Sequence, residues 1–84
     1  MAEEKKPIYV LTKVEEKSNL LEKLTIVGAS YSKSSLHDEM LSEAECYYET
    51  FDALEYSDEK IIFNDANQSW KITLIIHEVT LINW

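Results

Sequence analysis

The sequence lacks arginine altogether and contains only one glycine, one proline and one cysteine. Phosphate contacts need clustered lysine and arginine, so the absence of arginine and a net charge of −8 exclude direct nucleic-acid binding and argue against an anionic membrane surface. The single glycine excludes glycine-rich phosphate loops, which need two or three glycines at fixed spacing. The single cysteine excludes an intrachain disulfide and favours a reducing compartment.

Targeting signals and long hydrophobic runs are also missing. Residues 1–6 are charged and lack the apolar stretch of a signal peptide, so we expect a flexible N-terminal tail. The longest apolar stretch, 72–82, is interrupted by His77 and Glu78 and falls well short of the roughly 20 apolar residues of a membrane-spanning helix. These absences predict a cytoplasmic protein, and 84 residues with 45% hydrophobic side chains predict one folded domain over 1–84.

The 16 acidic residues are distributed unevenly. Residues 34–59 contain nine acids and no lysine, whereas 1–33 contain five acids and six lysines, and 60–84 contain two of each. The whole negative excess therefore lies in one segment.

This acidic segment has the pattern of an amphipathic helix. Its apolar residues recur at three- and four-residue spacing within about 120° of the helix circumference, and they are Leu36, Met40, Ala44, Tyr47, Tyr48, Phe51 and Leu54. Ser35, with Asp38 three residues later, fits a capping box, and Ser34 is an alternative N-cap. The spacing predicts a helix over about 35–54, and the segment 56–58 is expected to stop it.

The opposite face of the predicted helix is acidic. The acids that line or flank it are Asp38, Glu39, Glu43, Glu45, Glu49, Asp52 and Glu55. Like charges four residues apart, as in Glu39–Glu43, destabilise an isolated helix by roughly 0.2–0.5 kcal/mol per pair, and ordinary solvated helices mix charge signs. Two interpretations stay open: a functional acidic surface that binds a basic protein, and a face that only confers solubility.

The rest of the chain has the composition of β-strands. Branched and aromatic residues predict strands over 8–14, 24–29, 60–63 and about 70–81, with polar turns between the members of each pair. Pro7 precedes the first strand, Asn19 is expected at positive φ, and Gly28 indicates a bulge or a close backbone approach. The order ββαββ predicts a two-layer α+β domain, with one helix packed on a four-stranded, mostly antiparallel sheet.

The last predicted strand is apolar on both faces. Residues 70, 72, 74 and 76 are expected to face the helix, and Thr73, Ile75, His77, Val79 and Leu81 to face away. Tyr9 and Leu11 are further candidates for the uncovered face. Because such a face is usually polar, either a bulge near His77 turns the last apolar residues inward, or the face is a contact for a second copy of the chain or for another partner.

Catalytic groups are not combined in any recognisable pattern. His37 and Cys46 point to opposite sides of the predicted helix, and the neighbours His77 and Glu78 point to opposite faces of a strand. The Asp-Ala-Asn sequence at 65–67 starts like a calcium loop but lacks the required glycine and the terminal glutamate. We therefore predict no enzymatic activity, no cofactor and no metal site.

Short segments of the chain resemble a group of small acidic, mostly uncharacterised proteins of Gram-positive bacteria and their phages. The segments are Tyr-Val-Leu-Thr-Lys-Val at 9–14, Tyr-Ser-Lys-Ser at 31–34, Ser-Trp-Lys-Ile at 69–72 and His-Glu-Val at 77–79. The resemblance implies a small α+β fold, a cytoplasmic setting and no catalytic residues. Proteins of this type are similar to anti-CRISPR and other anti-defence inhibitors, several of which occupy the nucleic-acid groove of their target.

Two function hypotheses from different classes follow. In the first, the protein is an inhibitor or nucleic-acid mimic whose acidic helix imitates phosphates and binds a basic protein surface. In the second, it is a structural, self-associating protein whose acids only confer solubility and whose uncovered sheet face forms a dimer.

Overall fold

The computed structural model describes residues 7–18, 20–65 and 69–80. They form β1 (Pro7–Lys17), β2 (Leu20–Ser30), α1 (Lys33–Glu45), β3 (Asp52–Tyr56), β4 (Lys60–Asn64) and β5 (Trp70–Thr80). The α+β class is confirmed, but the four-stranded ββαββ prediction is wrong, because a fifth strand follows the helix. The predicted tail at 1–6 and the strand residue Leu81 lie outside the described residues.

The five strands form one antiparallel sheet in the spatial order β2-β1-β5-β4-β3. β1 pairs with β5 from Pro7 to Lys17 and with β2 on its other side. The helix α1 contacts β2, β1 and β5. The sheet therefore has one face covered by α1, which we call the inner face, and an opposite outer face.

The β1–β2 hairpin is longer than predicted and irregular. Its turn places Ser18 at φ 53°, in the left-handed region, whereas Asn19, expected there, lies outside the described residues. The pairing register shifts twice along the hairpin, once beside Gly28. The register shift confirms the predicted bulge beside Gly28, and the group that lies close to this glycine is the side-chain carboxylate of Glu39 on α1, with which a Cβ atom would collide.

The helix begins earlier than predicted. Ser32 is the N-cap, because its backbone is extended (φ −105°, ψ 113°) and its Oγ accepts a hydrogen bond from the Ser35 amide at 3.3 Å. Ser34 and Ser35 are therefore inside the first turn, and the predicted capping box between Ser35 and Asp38 does not form.

The helix ends at Glu45 and not near residue 54. Helix-like turns follow, in which the Tyr47 amide donates to the Ala44 carbonyl (2.9 Å) and the Phe51 amide donates to the Tyr47 carbonyl (2.8 Å). The second bond has helical i to i−4 spacing, which explains why the apolar pattern continues beyond the helix. A longer helix would also place Glu49 at the negatively polarised end of the helix dipole.

Residues 56–58, predicted to stop the helix, form the end of β3 and the start of the turn that connects β3 to β4. Tyr56 on β3 pairs with Ile61 on β4. The Ser57 amide donates to the Lys60 carbonyl at 2.8 Å, and Ser57 Oγ accepts from the Lys60 amide at 3.1 Å. The hairpin satisfies backbone groups of this segment that would otherwise lie unpaired at the sheet edge.

The core lies between α1 and the inner face. Its buried apolar residues are Leu11, Leu36, Met40, Ala44, Ile61, Phe63, Ile72, Leu74 and Ile76. The burial of Ile72, Leu74 and Ile76 confirms that these residues of the last strand face the helix.

Aromatic residues after the helix extend this core. The Tyr47 ring centroid lies 5.6 Å from those of Phe51 and Phe63. Tyr48 and Leu54, which the spacing assigned to the buried side of a longer helix, are 46% and 65% exposed. Only the first part of the predicted apolar stripe is therefore a buried helix face.

The outer face is apolar along the three long strands. Strand alternation and the pairing register place there Val10, Val14, Leu24, Ile26, Ile75 and Val79. The pairing of β5 with β1 contains no register shift, so a bulge at His77 does not turn Val79 inward. Tyr9 and Leu11, two candidates for this face, instead belong to the core side of the sheet.

Candidate binding surface

The seven acids predicted to bind a partner do not lie on one helix. The four on α1 are Asp38, Glu39, Glu43 and Glu45. Glu49 lies in the turn after α1, and Asp52 and Glu55 lie on β3. The prediction of one continuous helical stripe is therefore wrong, because α1 ends before its last three members.

Asp52 and Glu55 lie at the sheet edge farthest from β2. In the register with β4 they align with Asn64 and Ile62, and strand alternation places them on the side of the outer face. An oxygen of the Glu55 carboxylate lies 3.0 Å from Lys60 Nζ. These two acids therefore do not extend the acidic surface of α1.

Asp38 and Glu45 mark the outward side of α1. They are seven residues apart, so they share a helix face about 10 Å apart along the axis. Leu36 and Met40 occupy the side that faces the sheet and are buried. Both acids are exposed, and neither has a lysine partner among the described residues.

Glu39 and Glu43 lie on the flank of α1 that faces β1 and β2. The Glu39 carboxylate approaches the backbone at Gly28. Glu43 Oε1 accepts a hydrogen bond from Lys13 Nζ at 3.1 Å, and this ion pair is partly buried. The charge of Glu43 is thus neutralised within the fold by Lys13, whereas Glu39 lies at the border of the outward side of α1.

Lys13 is a lysine on the inner face, with a side chain only 17% exposed. Its Nζ lies 5.8 Å from the centroid of the Tyr47 ring. Burial lowers the pKa of Lys13, but the interactions with Tyr47 and Glu43 outweigh burial and hold this pKa above its ordinary 10.5. Sequence reasoning missed this site, although a lysine alternating with Tyr9 and Leu11 along a strand is the signal that could have found it.

The raised pKa of Lys13 predicts a loss of stability at high pH. The folded protein holds this proton more tightly than the unfolded chain does. Its contribution is therefore complete below pH 10.5 and disappears as the pH rises through the folded-state pKa above that value. Urea unfolding between about pH 8 and about pH 12 should show a smaller alkaline loss for Lys13→Met than for the unmodified protein. Equal losses in both proteins would contradict this role.

A second ion pair joins the start of α1 to the β3–β4 turn. The contact between the Lys33 ammonium and the Glu59 carboxylate raises the pKa of Lys33 and lowers that of Glu59. The pair lines a shallow cleft together with Tyr9, Ile76 and Glu78. Both members are well exposed, so this ion pair contributes little to stability.

The reactive side chains noted in the sequence lie apart from one another. His37 Nδ1–H donates to the Asp58 carbonyl at 3.1 Å, and Cys46 is the exposed C-cap of α1. His77 lies on the outer face, where Nε2 is hydrogen-bonded to the Thr12 hydroxyl at 2.9 Å. These histidines hold neighbouring elements together.

Asp65, the first residue of the calcium-like sequence, closes the connection between β4 and β5. Its carboxylate accepts hydrogen bonds from the amides of Ser69 and Trp70 at 2.8 and 3.3 Å, and from the Ser69 hydroxyl at 3.0 Å. Residues 66–68 lie outside the described part of the chain. Within the part that is described, no group of three His, Cys, Asp or Glu side chains is placed to hold a metal ion.

Comparison with known proteins finds no matching family model, no similar curated protein and no similar solved structure. Among the described residues, no helix has the length and apolar character needed to cross a membrane. The chain is an α+β domain with two distinct surfaces. One is the outward side of α1, which exposes acidic side chains, and the other is the apolar outer face of the sheet.

Proposed function

We propose that the protein is a non-enzymatic binding module that presents the acidic side of α1 to a basic protein surface. The single observation that supports this function is the exposure of Asp38, Glu45 and Glu49 without a lysine partner among the described residues. Asp38 and Glu45, with Glu39 at their border, form what we call the acidic side of α1, and Glu49 lies in the turn that follows.

The ion pairs of the described structure leave the outward side of α1 without a neutralising lysine. Lysines neutralise acids at three places in the described structure, and the acids in these pairs are Glu43, Glu55 and Glu59. None of the three pairs involves the outward side of α1. A concentrated negative surface accelerates encounter with a basic partner.

The basic partner that fits best is the groove of a nucleic-acid-binding protein. The carboxylates of Asp38 and Glu45, two helical turns apart on one side of α1, can take the place of phosphates in such a groove. Because Asp52 and Glu55 lie on β3, the acids that would imitate phosphates are those on α1 and in the turn after it.

Charge neutralisation on opposite sides of the fold tests this function. We expect Asp38→Asn with Glu45→Gln to weaken binding to basic nucleic-acid-binding proteins about two- to thirtyfold at low salt, the sum of two exposed ion pairs. The salt dependence of binding should become shallower. Affinities are measured by titration calorimetry against a panel of such proteins over a range of salt concentrations.

The matched control is Asp52→Asn with Glu55→Gln, which removes the same charge from the other side of the molecule. It should leave the affinity within about twofold, because screening limits the influence of distant surface charges. Equal weakening by both double variants would show that only net charge matters and would remove the proposed acidic side.

A further inference from the structure

The outer face carries large apolar side chains that the described structure leaves in solvent. Leu24, Ile26 and Val79 are 61%, 69% and 40% exposed. Isolated proteins rarely expose a contiguous apolar patch larger than a few hundred Å². We propose that a second copy of this chain covers the outer face, so that two sheets pack face to face in a symmetric dimer.

A second copy can lie on the β1 and β5 part of the outer face without bringing like charges together. On β1 and β5 the outer face carries one acid, Glu16, and one lysine, Lys71, which are direct partners in the strand register. This part of the face has no net charge, although the whole chain carries −8. Two such molecules repel each other. When their outer faces pack together, the helices α1 of the two copies, with their acidic sides, lie at opposite ends of the dimer and far from each other.

The area of the face meets the requirement of a stable dimer. Three strands have 11 residues each. At about 3.3 Å per residue and about 4.8 Å between strands they cover roughly 500 Å² per copy. Two copies packed through these three strands therefore bury about 1,000 Å² or more, since side-chain relief increases the accessible area, and this reaches the size expected of a specific interface.

Polar groups at the centre of the face are already paired. The Thr12 hydroxyl and His77 Nε2 hydrogen-bond to each other, and this bond can persist when the two side chains enter an interface. Pairing of two β2 edges is the less favourable arrangement. The two register shifts along β2 disturb its hydrogen-bonding edge, and edge pairing would leave the apolar face in water.

Two substitutions on β2 form a matched test. Ile26 and Leu20 are 69% and 70% exposed, but the strand register places Ile26 on the outer face and Leu20 on the opposite side. Ile26→Lys puts an unpaired charge into the proposed interface, and Leu20→Lys makes the same change outside it. Sedimentation velocity over a dilution series measures the dimer, and circular dichroism verifies folding.

We expect a dimer for the full chain, a dissociation constant raised at least tenfold by Ile26→Lys, and little change with Leu20→Lys. Added salt should strengthen this dimer by screening repulsion, whereas it should weaken binding of the acidic side to a basic partner. A monomer at all concentrations would overturn the proposal. So would a dimer that Ile26→Lys leaves intact, or one that both variants weaken equally, as edge pairing through β2 predicts.

Discussion

Replacing Phe63 with alanine should lower the free energy of unfolding by about 3–5 kcal/mol. Phe63 is fully buried on β4, and its ring centroid lies 5.6 Å from that of Tyr47 and 5.3 Å from that of Tyr48. It is therefore the contact through which the turn after α1 packs on the sheet. For a domain of this size the loss corresponds to about 12–40 °C in Tm, measurable by thermal unfolding followed by circular dichroism.

Leu54→Ala is the control for this variant. Leu54 lies on β3 and is 65% exposed, so its truncation should change stability by no more than about 0.5 kcal/mol. If the helix extended to residue 54, as its apolar spacing predicts, Leu54 would be a core residue and its loss would cost about 2–5 kcal/mol. A large effect at Leu54 would thus contradict the strand and restore the longer helix.

Met40→Lys should prevent cooperative folding. Met40 is fully buried between α1 and the inner face. A lysine there would be an uncompensated buried charge, whose cost of several kcal/mol is comparable to the whole stability of a small domain. We expect loss of the near-ultraviolet circular dichroism of the tryptophan and tyrosine residues and no sigmoidal unfolding curve.

Ser42→Lys introduces the same side chain on the exposed side of the same helix. It should leave the unfolding midpoint nearly unchanged, because surface substitutions away from special features stay within about 0.5 kcal/mol. Cooperative unfolding of Met40→Lys at the normal temperature would show that α1 does not cover the sheet at this point.

The acidic residues show how far local patterns can predict a surface. Counting charges locates the acids in 34–59, and helical spacing correctly orients Leu36, Met40 and Ala44 toward the sheet. Which acids stay available depends on lysines distant in sequence. Glu43 is neutralised by Lys13, 30 residues earlier, and the spacing of residues within one helix contains no information about that contact.

Local spacing also does not determine where α1 ends. Tyr47 and Phe51 keep helical spacing, because a helix-type hydrogen bond joins them in the turn after α1. The spacing alone therefore predicts a longer helix. Asp52–Tyr56 becomes a strand because β4 offers it a hydrogen-bonding partner, and that partner lies beyond the local window from which helical periodicity is read.

By itself the sequence determined the lack of basic clusters, the α+β class, the apolar side of α1 and the inward residues of β5, since these follow from composition and local periodicity. Only the tertiary structure decided that a fifth strand forms, that Tyr9 and Leu11 join the core, and that the acids divide between α1 and β3. The physical reason is that strand pairing and ion pairing join residues far apart in the chain. Their free energy depends on which partner the fold brings into contact.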